Sequence, residues 1–231
     1  MKTAFANRLS MRPIIVSTSF VLLTLGLVCS LSMQRSLAGP FVAASAELIQ
    51  PLRTGQAAPT FVVKTVGDEP YVFQPGSLER PALLITFRGG WCPYCNMHLS
   101  ELRTVMPEIQ ALGFDVLFLS GDRPELLYES LKSETLADIE GLGYQIYSDA
   151  DAEAALAFGI AFQASEATIN RRHEKDEDIR DSSMLRHGIL PVPAVFAIDK
   201  GGVIAYSFVE ADYKVRLPAN ELLAALREMV Q

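Results

Sequence analysis

Apolar positions fall into three regimes along the chain. A charge-free apolar run diluted by Ser and Thr covers residues 14–33, short strand-length runs recur between residues 58 and 209, and positions at helical spacing lie between those runs. Residues 58–65 alternate weakly and predict a first strand, with residues 71–73 a second after a Gly67-Asp68 turn. Pro81 precedes a continuous apolar run at 83–87, the pattern of a strand buried on both faces. Leu99, Leu102, Met106, Ile109 and Leu112 then share one face of a single expected helix, which Gly113 ends. Residues 114–120 form another buried run. A helix is expected from Pro124 to about Ile139, a short strand at 144–148, and a short helix at 151–158 with Asp149, Asp151 and Glu153 at its start. Residues 163–188 are polar and densely charged, which predicts a solvated surface or loop. Residues 194–198 and 203–209, joined by Asp199-Lys200-Gly201-Gly202, predict a hairpin, and residues 219–229 a last amphipathic helix. Strands alternating with helices, then a hairpin and a helix, give an α/β sandwich with a mixed central sheet flanked by helices.

The long apolar run belongs to a different kind of segment. Asp and Glu are absent before Glu47, while Lys2, Arg8 and Arg12 precede the run and Arg35 follows it. That is the layout of an export signal, with cleavage sites after Ala38 or Ala46. The run is also long enough to cross a bilayer, so membrane anchoring through residues 14–33 stays open. Residues 1–46 are therefore expected to be a signal peptide or N-terminal anchor plus spacer, and residues 52–230 the folded domain. Either way the domain is placed outside the cytoplasm, periplasmic or extracytoplasmic. Cys29 lies inside the run and reads as a small hydrophobe, because Val28 does not suit a lipoprotein cysteine. The whole chain has 20 basic and 27 acidic residues. Without the four leader cations the balance is 16 against 27, which argues against nucleic-acid binding.

Two cysteines remain, and their position carries the chemistry. Cys92-Pro93-Tyr94-Cys95 follows the strand at 83–87 and the Gly89-Gly90 turn, where a helix begins. Pro93 suits the first helical position, which puts Cys92 at the N-cap, facing the unpaired amides of the first turn. A thiolate there gains hydrogen bonds and the positive end of the helix dipole, which lowers its pKa. Cys95 is one turn on, within disulfide reach. Trp91 and Tyr94 flank the pair and restrict water. A structural zinc site usually wants four ligands, and His98 is the one histidine nearby. A purely structural disulfide would close too small a loop to constrain the unfolded chain much. A redox pair is the favoured reading, with no cofactor or metal expected.

The string Trp91-Cys92-Pro93-Tyr94-Cys95 resembles thioredoxin-superfamily motifs, and its C-P-Y-C core is similar to that of glutaredoxins. Gly55-Gln56-Ala57-Ala58-Pro59-Thr60-Phe61 resembles the opening of peroxiredoxins of the alkyl hydroperoxide reductase/thiol-specific antioxidant family. Leu190-Pro191-Val192-Pro193-Ala194 resembles the superfamily's cis-proline strand, with Pro193 as the cis residue. The string from Phe87 to Cys95 and the ending Asp212-Tyr213-Lys214-Val215-Arg216 resemble a peroxiredoxin-like subgroup. The resemblance implies a thioredoxin-like three-layer sandwich and places Cys95 at the peroxidatic position. Cys92 replaces the family's threonine, and Arg88 its proline, so efficient peroxide reduction is not implied outright. Arg88, Trp91 and Pro193 are supporting candidates: Arg88 to supply positive charge, Pro193 to present a backbone edge to a partner. His98 reads as a helix-face histidine.

Three functions follow as expectations. The first is a thiol-dependent antioxidant oxidoreductase that reduces peroxides through a Cys92/Cys95 dithiol–disulfide cycle, recharged by a thioredoxin-like reductant. The second is a thiol–disulfide oxidoreductase acting on exported proteins. The third is a catalytically silent binding module on the same fold. For peroxide chemistry the resemblance points to Cys95 as attacker, whereas for disulfide exchange the N-cap argument points to Cys92. The sequence does not define the oligomeric state.

Overall fold

Six successive residues without a charge can form a strand only if both of its faces are covered. β3 (Ala82–Phe87) is such a strand and is buried throughout. A computed structural model describes residues 41–174 and 179–230. The apolar run 14–33, Cys29 and Ala38 lie outside the described residues, as do residues 175–178 of the polar segment.

The strands are β1 (Phe61–Lys64), β2 (Pro70–Phe73), β3, β4 (Asp115–Ser120), β5 (Ile146–Ser148), β6 (Ala161–Gln163), β7 (Ile189–Pro191), β8 (Ala194–Ile198) and β9 (Ile204–Val209). Seven of them form one mixed sheet in the order β2-β1-β5-β4-β3-β8-β9, while β6 and β7 pair separately. β3 runs parallel to β4, from Ala82↔Asp115 to Phe87↔Ser120, and antiparallel to β8, from Ala82↔Ile198 to Thr86↔Ala194. That register brings the end of β3 and the start of β8 to the same edge of the sheet. Successive side chains point to opposite faces. Leu84, Leu117 and Phe196 therefore enter one core, and Leu83, Phe118 and Val195 the other.

The helices are α1 (Pro93–Leu102), α2 (Met106–Ala111), α3 (Ser133–Ile139), α4 (Glu153–Ala157), α5 (Glu166–Glu174), α6 (Ser183–His187) and α7 (Ala219–Met229). The single helix expected from 99 to 112 is two, α1 and α2. Pro107 has no N–H to give the carbonyl of Arg103, and its ring collides with that turn, so α1 ends at Leu102. The helix expected from Pro124 is a short 3-10 turn (Pro124–Leu126) followed later by α3. Between them the chain is held from outside: Ser130 Oγ donates to Asp122, and Lys132 N donates to Asn96 Oδ1. The polar segment is not an unstructured surface. It supplies α5 and α6, and Arg172 of α5 is buried. The hairpin is as expected, with Asp199 Oδ1 accepting from Val203 N inside the turn, and α7 has the expected limits. Asp149 accepts from Ala154 N and Ala155 N, both at 2.9 Å, and so caps α4.

The folded body also starts earlier than residue 52. Ala43 is fully buried, pairs in parallel with Phe162, donates to Ala161 O at 3.0 Å and accepts from Gln163 N at 2.8 Å. Ala46 joins the same core. The apolar spacing there is too short to register as a strand, so only the tertiary contact reveals it. No helix among the described residues is long and apolar enough to cross a membrane. A chain beginning at Glu47 should be less stable than one beginning at Gly39 by about 2 kcal/mol, the worth of two backbone hydrogen bonds. Urea unfolding of the two chains tests this, and equal midpoints would show that residues 43–46 add nothing.

Candidate active site

The site begins where β3 gives way to α1. Gly89 has φ +148, a conformation that L side chains rarely adopt, and a Cβ there would collide with Trp91 and Asp122. At Gly90 a Cβ would lie 2.5 Å from the Ser130 carbonyl carbon and 2.7 Å from Leu131 N. Both glycines are required, one by its dihedral angle and the other by the loop that crosses it.

Two buried side chains hold the turn. Asp122 accepts from Gly90 N at 2.7 Å, and from Ser130 and Ser120. Burial pushes the Asp122 carboxyl up to about 6, against those three hydrogen bonds. Asn96 Nδ2 donates to Gly90 O at 2.5 Å and Cys92 O at 3.1 Å, while its Oδ1 accepts from Lys132 N. The segment before the cysteines is thus tied to both the loop behind it and the helix after it.

Cys92 occupies the N-cap of α1 in an extended conformation (φ −87, ψ 113), with Pro93 in the first turn. Its carbonyl accepts from Cys95 N and Asn96 N, both at 3.1 Å. Cys92 and Cys95 form a disulfide pair, with Cα atoms 5.2 Å apart, an ordinary separation for such a bridge. Both sulfurs belong to the apolar core on the α1 side of the sheet.

Cations converge on this pair. Arg216 Nη2 lies 3.4 Å from Cys95 Sγ, and Arg216 Nη1 donates to Tyr213 O and to Val215 O. Burial, followed by the charge of Arg88, lowers Arg216 to about 10, while Asp212 opposes that shift. It still carries its charge at neutral pH. Arg88 is not a surface arginine. Its guanidinium sits 4.6 Å from the Tyr213 ring centre and 5.4 Å from that of Phe162. Burial lowers Arg88 to about 10, and its Nε is buried without a hydrogen-bond partner among the described residues. The Arg172 guanidinium lies 4.8 Å from the Trp91 ring. Trp91 is half-buried between the two cores, and Tyr94 meets Tyr213 edge to face at 5.6 Å.

Each candidate from the sequence can now be placed. Cys92, Cys95, Trp91 and Arg88 come together. Pro193 stands at the same end of the sheet, between residues held by Thr86, whose Oγ1 donates to Val192 O and accepts from Ala194 N. It is not the cis residue the resemblance implied, because no described peptide bond is cis. The Thr86 hydroxyl bridges the two flanking residues with the chain trans, and β8 pairs from Ala194 onward without a reversal. Arg216 is the residue beside Cys95 that sequence reasoning did not single out. It lies 121 positions from Cys95, and its signal was only the ending that resembled a subgroup.

His98 lies on the face of α1 that is turned inward. It is buried, with Nε2 3.2 Å from Leu217 O. Burial, then the charge of Arg216, lowers its pKa to about 4, with the Leu217 contact opposing. Unfolded His98 takes a proton near 6.5, whereas folded His98 waits until about 4. Unfolding therefore binds the extra proton between those values, so stability is lost as pH falls through that window. Relative to His98→Gln, the native protein should lose stability from about pH 6.5 down to about 4 and stay level above it. Denaturation midpoints across pH check this, and parallel curves would contradict it. Among the described residues no group of three or more His, Cys, Asp or Glu side chains is placed to hold a metal.

Comparison with known proteins adds the family. The AhpC/TSA family model matches residues 54–207. Peroxiredoxin Bcp of Escherichia coli is 29% identical over 112 residues, which cover 48% of this chain and 67% of that protein. Peroxidoxin BcpB from Mycobacterium tuberculosis superposes with a TM-score of 0.55 at 17% identity, over 77% of this chain and 98% of the other. A peroxiredoxin-like protein from Aquifex aeolicus gives 0.54 at 20% identity, over 78% of this chain and 89% of the other. The seven-stranded sheet with its flanking helices is the thioredoxin-like fold of these neighbours. The chain belongs to the AhpC/TSA family.

Proposed function

We propose that this protein reduces peroxides through Cys95, resolves the product with Cys92, and is recharged by an external thiol. Membership of the AhpC/TSA family makes the chain a thiol-dependent oxidoreductase and favours the peroxidase reading, with a peroxide substrate and a thioredoxin-like reductant in general terms. The roles of the individual cysteines are the proposal. The observation that carries it is Arg216 Nη2 at 3.4 Å from Cys95 Sγ.

A thiolate at Cys95 faces that guanidinium, which favours its ionised form. The thiolate attacks one peroxide oxygen, the O–O bond breaks, and the departing alkoxide takes a proton to leave as alcohol or water. Cys95 is then a sulfenic acid. The Cys92 thiolate, stabilised by the first turn of α1, attacks the sulfenic sulfur. Hydroxide leaves, takes a proton and departs as water, and the Cys92–Cys95 disulfide results. Two electrons have moved from the thiol pair to the peroxide. Arg88 and Arg216 supply positive charge near the pair, where the hydroxyl of the family's threonine is absent.

Hydrogen peroxide and alkyl hydroperoxide consumption with a thioredoxin system tests the cycle. Cys95→Ser should fall to the background of the double cysteine variant. Cys92→Ser should accumulate sulfenic acid at Cys95 and lose turnover. Arg216→Gln should lower the rate roughly a hundredfold, the scale of losing one charge-stabilising donor. Turnover of the native protein no greater than that of the double variant would sink the peroxidase reading. Reduction of a protein disulfide such as insulin, initiated by Cys92, would then favour the oxidoreductase reading, which the N-cap position supports.

Export is part of the same proposal. The basic start and the apolar run at 14–33 support it, and the burial of Ala43 and Ala46 in the core supports cleavage after Ala38. The intact mass of the exported protein should therefore begin at Gly39. A mass retaining Met1 would favour the anchor, and one beginning at Glu47 would contradict the packing argument.

A further inference from the structure

A cavity of about 220 Å³ opens beside the disulfide, and the cysteine in its wall is Cys92. Cys95 does not line it. Besides Pro93 and Thr168, the wall combines three aromatic residues, Trp91, Tyr94 and Tyr213, with the arginines Arg88, Arg171 and Arg172. The arrangement puts positive charge and apolar walls beside one cysteine.

We propose that this cavity is the docking site of a small carboxylate-bearing thiol that reopens the Cys92–Cys95 disulfide. The proposal rests on the peroxidase reading for the origin of the disulfide, but not for the docking itself.

Three observations point to this ligand rather than another. First, the cysteine that lines the cavity is Cys92, whose sulfur an incoming thiolate must attack if Cys95 is to be released beside Arg216. In that step a bond forms between the incoming sulfur and Cys92 Sγ, and the Cys92–Cys95 bond breaks. Cys95 takes the electron pair and leaves as a thiolate, 3.4 Å from Arg216 Nη2. A second molecule of the thiol then attacks the mixed disulfide, forming the oxidised small-molecule disulfide and freeing Cys92. Second, Arg88 is charged and half-buried, and its buried Nε has no hydrogen-bond partner among the described residues. An arriving carboxylate offsets that desolvation, whereas an ammonium group would add to the repulsion among neighbouring arginines. Third, the volume is below the ~300 Å³ at which drug-sized pockets begin, so it suits a small molecule. Carboxylates also match the planar guanidinium fork.

The experiment uses the oxidised protein without peroxide and follows release of its thiols. The probes are mercaptopropionate, mercaptoethanol and cysteamine, compared at equal thiolate concentration and each normalised to its rate with a small neutral disulfide. Disulfide opening should be on the order of tenfold faster with the anion than with the neutral thiol, and slowest with the cation, as charge focusing in a cleft predicts. Added salt should shrink that ratio. The thioether of mercaptopropionate, which cannot react, should slow the anion by competition. Arg171→Gln changes an exposed residue and should lower the anion-to-neutral ratio, as should Arg88→Gln. Equal rates for the three probes, or a lead for cysteamine, would overturn the proposal. Peroxide consumption driven by dithiothreitol is measured separately. Loss of that activity with the charge order intact would sink the peroxidase reading and leave the docking site standing.

Discussion

The constraint on which the site depends is the grip on the Gly89-Gly90 turn. Asp122 holds the amide of Gly90, Asn96 holds its carbonyl, and the loop at Ser130-Leu131 lies where a side chain would otherwise stand. That turn fixes the angle at which α1 leaves β3, and so sets Cys92 at the helix N-terminus instead of within it. Asp122 and Asn96 are both buried, which makes their hydrogen bonds expensive to lose. The pairing of β3 with β4 and β8 supplies the rigid base.

Charge is distributed against the overall balance. The chain is acidic, with 27 acidic and 20 basic residues, yet arginines gather at the disulfide. Arg88 and Arg216 oppose one another, and burial costs both of them. Aromatic rings provide part of the compensation: Tyr213 and Phe162 face Arg88, and Trp91 faces Arg172. Asp212 provides another part. Such crowding of like charges beside sulfur is costly for a fold and useful for a thiolate, which a structural disulfide would not need.

The sequence was most legible where the signal is local. The apolar run at 83–87, the proline after Cys92, the Asp199–Gly202 turn and the apolar spacing of 219–229 each act within a few residues, and each lies in the element expected. The apolar spacing continues across Pro107 and so does not show that the helix breaks there. What stayed hidden depends on distant partners. Arg172 reads as one charge among many until α5 brings it over Trp91, and Arg216 reads as the end of a polar turn until it reaches Cys95. Ala43 is a small residue after an apolar run, and only its pairing with Phe162 makes it part of the body. His98 reads as a helix-face residue because its cover, at Leu217, lies over a hundred positions later.

The central claim is that Cys92 and Cys95 form an activated dithiol. Its most direct measurement is the ultraviolet thiolate absorbance of the reduced protein as a function of pH. The account predicts one thiol ionising well below the ~8.5 of free cysteine, with that value rising in Arg216→Gln. If both thiols ionise at or above the ordinary value and Arg216→Gln changes nothing, the claim is contradicted.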